Sequence, residues 1–88
     1  MKNKITYLLR VYYEYLSKQI SDTSVTLYMK DGEHHNGSII QMDNELIIFS
    51  NGIDVFFMKQ EDVVYFSSSN YEVQKFLMEN SKEIISDL

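Results

Sequence analysis

The stretch from Ser24 to Ser67 constrains the fold more than any other part of the chain. β-branched and aromatic residues dominate it, and Asp31-Gly32 and Asn51-Gly52 punctuate it. Both dipeptides tolerate positive φ and so predict two-residue hairpin turns. The pattern predicts strands near Val25–Lys30, Glu33–Asp43, Glu45–Ser50, Ile53–Lys59 and Val63–Ser67. Gln60-Glu61-Asp62 leaves room for only a tight turn between the last two. Gly37 falls inside the long second strand, where a glycine marks a sharp bend or a close backbone approach. A long strand bent at a glycine lets a few strands curl into a small barrel. The chain has no proline, so its turns rest on Gly32, Gly37 and Gly52 together with Asn and Asp.

A helix is expected on either side of this block. From Asn3 to Ile20, the residues Ile5, Leu8, Leu9, Tyr12, Leu16 and Ile20 fall at helical spacing on one stripe. Asn3 is placed to cap that helix, which spans 3–20 and lies over one open end of the sheet. As a partner-binding or membrane-surface helix it has too few cations on its polar face for membrane binding. After the polar break at 67–70, Ser69 and Glu72 fit a capping box for a second helix, 70–86. Its stripe is Val73, Phe76, Leu77, Ile84 and Leu88, interrupted by Asn80, and its other positions are mostly acidic.

With 88 residues there is room for one domain, 1–88. A hydrophobic content of 44% and an aromatic content of 14% separate it from disordered tails. It has no cysteine, so neither disulfides nor thiolate metal sites staple it, and small domains of this kind gain stability by oligomerising. The formal net charge of -5 argues against a general electrostatic grip on nucleic acid, though not against a local basic patch. No run is long and apolar enough to span a membrane, and Tyr7, Arg10 and Glu14 interrupt any signal-peptide pattern behind Lys2 and Lys4. The expected location is the cytoplasm.

Two motifs within the strand block carry a resemblance. Val25, Leu27, Asp31, Gly32, Gly37, Ile39 and Asp43 form the first, without a gap. The second is Phe57-Met58-Lys59, then Gln60-Glu61-Asp62, then Val63-Val64-Tyr65-Phe66. Together with the preceding helix, the block from Val25 to Phe66 resembles the Sm-like (LSm/Hfq-type) family. An unrelated SH3-like barrel, which uses similar hairpins, is the alternative. The resemblance implies a mainly β fold, a strongly bent five-stranded antiparallel small barrel with an N-terminal helix, here with an added C-terminal helix. It also implies a homo-oligomeric ring of five to seven subunits, in which the fourth strand of one subunit pairs with the fifth strand of the next. Val55, Phe56, Phe57, Val63, Val64, Tyr65 and Phe66 are the interface residues on this view. The physics agrees, because apolar edge strands with unpaired backbone groups invite aggregation and a closed ring removes the edges.

The family's RNA pocket falls at Asp43, Glu45, Ile47, Lys59 and Gln60, of which only Lys59 keeps the expected basic character. Glu45 stands where the family has a stacking ring, and a carboxylate neither stacks on a base nor tolerates a phosphate. Tyr28 falls where the bacterial branch has a tyrosine that stacks adenines on the opposite face, with Glu33 in place of its apolar companion. The expected function is therefore a non-catalytic ring subunit that binds single-stranded RNA. The alternative is a structural or protein-interaction ring that has lost the RNA pocket.

Other signals are weaker. Adjacent strand residues point to opposite faces, so His34-His35 is not a ready metal pair. Lys4, Arg10 and Lys18 are dispersed along the first helix, as on a solvated face. Glu61-Asp62 reads as a solvated turn. There is no nucleophile elbow, phosphate loop or HExxH pattern, so no enzyme, cofactor, metal or small-molecule substrate is expected.

Overall fold

The computed structural model describes residues 4–86, with side chains described through residue 80. It is mainly β: one five-stranded antiparallel sheet with a helix before it and a helix after it. The elements are α1 (Lys4–Glu14), β1 (Ser24–Met29), β2 (His34–Met42), β3 (Leu46–Ser50), β4 (Val55–Lys59), β5 (Val63–Ser67) and α2 (Tyr71–Ser86). The spatial order is β4-β3-β2-β1-β5. β1 lies between β2 and β5, and the two apolar strands β4 and β5 form the outer edges. The sheet is not closed: β4 pairs only with β3, and β5 only with β1. No ladder joins the last two strands, so the expected small barrel is seen only as an open, bent five-stranded sheet.

The sheet is nonetheless curled. A Cβ on Gly37 would run into the carbonyl of Ser50, so only glycine lets β2 approach β3 this closely. Two residues further on, the register with β3 shifts between Ile39 and Gln41 and leaves Ile40 as a bulge. The curl brings His35 on β2 within 5.2 Å of Phe56 on β4, ring centre to ring centre, although β3 lies between their strands.

The hairpin turns form where expected but with a different geometry. Gly32 and Gly52 have φ of 90° and 94°, and no non-glycine residue among the described ones has positive φ. Asp31 and Asn51 therefore act through their side chains. Asp31 Oδ1 accepts from the Glu33 amide, and Asn51 Oδ1 accepts from the amides of Ile53 and Asp54. These side-chain bonds lengthen each connection beyond two residues, so β2 starts at His34 and β4 at Val55.

The first helix is shorter than its apolar stripe. The last α-type bond runs from Tyr15 N–H to Val11 C=O, and the chain then tightens into a 3-10 turn over Leu16–Lys18. The Ser17 hydroxyl bonds back to the Tyr13 carbonyl at 2.5 Å and competes with the helical pattern there. Leu16 and Ile20 still pack against the core, so the stripe records burial beyond the helix end. At α2 the cap is Asn70, not Ser69: Asn70 Oδ1 accepts from the amides of Glu72 and Val73. Asn3, Leu88 and the side chain of Ile84 lie outside the described residues.

The core lies between the concave face of the sheet and the two helices. Leu8, Leu9 and Tyr12 come from α1, Val25 and Leu27 from β1, and Ile47 and Phe49 from β3. Val63 and Phe66 from β5, with Val73 and Leu77 from α2, complete it. Burying each such large side chain contributes about 1.5–3 kcal/mol. Among the described residues, no helix is long and apolar enough to cross a membrane.

Candidate functional site

Three connections meet at one end of the sheet. The β2–β3 turn begins at Asp43, whose Oδ1 accepts from the amides of Glu45 (3.0 Å) and Leu46 (2.7 Å). The 3-10 turn at Gln60–Asp62 joins β4 to β5, and the Gln60 amide donates to the Glu45 carbonyl at 2.8 Å. α1 passes beside both turns and contributes Arg10.

Gln60 fastens these parts together and is only 3% exposed. Its Nε2 donates to the carbonyls of Asp43 and Leu46 (3.3 Å to Leu46), and its Oε1 accepts from Arg10 Nη2 at 3.2 Å. Arg10 Nη2 also donates to the Asp43 carbonyl at 3.0 Å, and Arg10 pairs with Glu14 at 3.7 Å. A buried amide with all its polar atoms engaged is well satisfied and holds its neighbours rigidly. The Asp43 carboxyl is held below its ordinary value, first by the Leu46 amide, then by the Glu45 amide, with Arg10 adding to the effect.

An open cleft of about 560 Å³ lies over this junction. Thr6, Tyr7 and Arg10 form its helix wall. Asn44, Glu45 and Leu46 form a second wall, and Lys59, Gln60 and Glu61 a third. Tyr7 is 52% exposed, and Glu45, Lys59 and Glu61 are exposed as well. Among the described residues, Lys59 does not reach Glu45 as an ion pair.

Of the residues singled out by sequence, Glu45, Lys59 and Gln60 are brought together here, with Asp43 directly behind them. Ile47 is instead fully buried in the core. Arg10, read from sequence as a solvated cation, belongs to the junction, and Tyr7 was missed altogether. No local signal marks either one, because their role depends on where α1 crosses the turns, 33 and 50 positions away for Arg10's partners.

Tyr28 does not line the cleft. It pairs with His34 on β2 and Tyr65 on β5, and the three rings form a row across adjacent strands with centroids 6.0 and 6.4 Å apart. All three are exposed. His35 points to the other face, toward Phe56, so the adjacent histidines do diverge. Among the described residues no group of three or more His, Cys, Asp or Glu could hold a metal ion.

The edge strands divide cleanly. Val63 and Phe66 are core residues, and Phe56 is half-buried. Val55, Phe57, Val64 and Tyr65 are exposed, Phe57 at 70%. No protein-family model matches the chain, and no curated protein matches it.

Proposed function

We propose that this chain is an Sm-like subunit that assembles through β4 and β5 into a homo-oligomeric ring and binds single-stranded RNA without catalysis. The observation that carries this reading is the strand order: both sheet edges are apolar strands with exposed Val55 and Phe57 on one and Val64 and Tyr65 on the other. Two such edges on opposite sides of a subunit pair head to tail, and only closure satisfies every one. Within a copy, Arg10 and Lys59 are the cations at the cleft, Tyr7 offers a ring for stacking, and Tyr28 offers a second aromatic surface. Ring size in this reading is five to seven, and the protein acts in the cytoplasm.

Light scattering and native mass measurement test the assembly, with a closed multimer expected and a monomer at working concentration overturning it. Binding of oligo-U and oligo-A at low salt tests the ligand. If neither shifts the protein at micromolar concentration, the RNA function is wrong even where the ring forms. A protein-interaction ring is the second reading. Two features favour it: Gln60 spends all its polar atoms inside the chain, and Glu45 and Glu61 bring negative charge to the cleft.

A further inference from the structure

The lining of the cleft is unusual for a site that grips phosphate. Two carboxylates, Glu45 and Glu61, share it with Lys59 and with an Arg10 whose Nη2 already serves two protein acceptors. Carboxylates repel phosphate but accept strongly from N–H donors. The cleft volume of about 560 Å³ lies within the range of small-molecule sites. Tyr7 stands on the helix wall and is half-exposed, and Glu45, also exposed, belongs to the turn wall.

We propose that the cleft takes one unpaired guanine of a single-stranded RNA, stacked on Tyr7, with its Watson–Crick edge donating to the Glu45 carboxylate. This rests on the RNA-binding reading above and names its base preference. The chemistry separates the four bases. Guanine presents two adjacent donors, N1–H and the N2 amine, which match the two oxygens of one carboxylate. Its neighbouring O6 is an acceptor, suited to the Lys59 ammonium or the Asn44 amide. Adenine and cytosine each present one amine beside a ring-nitrogen acceptor, which a carboxylate repels. Uracil presents a single N–H between two carbonyl acceptors and suffers that repulsion twice. Unpaired RNA bases are recognised in this general way, by stacking and by hydrogen bonds along the exposed edge. Tyr7 thus supplies the stacking ring from α1, and Glu45 the hydrogen-bond acceptors from the β2–β3 turn. Because the base and not the phosphate is gripped, the affinity falls only shallowly with salt.

The test is fluorescence anisotropy with uridine oligonucleotides that carry one central guanosine, inosine, cytidine or uridine. Guanosine is expected to bind about tenfold tighter than uridine, the discrimination of one good bidentate pair. Inosine, which lacks the N2 amine, falls between them. Glu45→Gln removes the preference while the protein stays folded, since the side chain is exposed and of equal size. Tyr7→Ala weakens every oligonucleotide by about tenfold, and Tyr7→Phe restores binding. Equal binding of all four probes overturns the guanine preference and leaves the RNA reading standing. A guanosine preference that survives Glu45→Gln overturns the assignment of Glu45. Failure of every probe to bind overturns the RNA reading itself, and this proposal with it.

Discussion

Replacing Gln60 by alanine removes the amide that ties the β2–β3 turn, the β4–β5 turn and Arg10 together. The Asp43 carbonyl keeps Arg10 Nη2 and the Leu46 carbonyl keeps the Asp43 amide, so the expected cost is the net worth of the lost Gln60 bonds, about 1–3 kcal/mol in denaturant unfolding. Among the described residues, two ionisable groups tie stability to pH. Tyr12 is fully buried and donates to the Thr23 carbonyl at 3.0 Å; burial first, then Asp22, pushes its phenol from 10.0 up to about 12. A raised folded value means that this contribution is complete below pH 10 and is lost as pH climbs toward 12. Alkaline titration of Tyr12→Phe, followed by circular dichroism, is expected to show a weaker loss over that window. Asp43 behaves in the opposite way. Its folded value is depressed below 3.8, so its contribution is present above that pH and is lost as pH falls through the folded value. Asp43→Asn keeps an acceptor for the Glu45 and Leu46 amides and is expected to flatten the acid side of the stability profile.

At the scale of elements, the ends and edges are the sensitive parts. Asn70 serves two of the first amides of α2, and Asn70→Ala is expected to cost about 1 kcal/mol of stability. Ser69→Ala is expected to be close to neutral, which separates the observed cap from the one the S-x-x-E pattern predicts. β4 is an edge strand whose outward residues include Phe57, exposed and central in the strand. Charge on an edge blocks edge pairing. On the proposed ring assembly, Phe57→Lys is therefore expected to give monomer in light scattering where the parent protein gives a multimer, while circular dichroism is retained, because Phe57 is exposed and lies outside the core. Much of this scale was legible in the sequence. All five strands appear within a few residues of their expected places, because period, β-branching and turn residues act locally. The helix end was not legible, since Leu16 and Ile20 continue the apolar stripe after the backbone has left the α-helix.

At the scale of the molecule, two arrangements decide what the chain can do. One is the open sheet, whose two edge strands, β4 and β5, are both apolar and are the basis for proposing assembly. The other is the crossing of α1 over the turns that end β2 and β4. The chain by itself determined the strand block, its bend at Gly37, and the divergence of His34 and His35. Each of these follows from side-chain size, backbone freedom or the two-residue period of a strand. It also grouped Asp43, Glu45, Lys59 and Gln60, though only through a resemblance. The tertiary structure alone decided that Gln60 is a buried tie and that Arg10 joins it. It alone placed Tyr7 at the cleft and Ile47 and Tyr28 away from it. Those outcomes depend on how a helix packs on a curved sheet across dozens of residues, and no local pattern encodes a contact of that range.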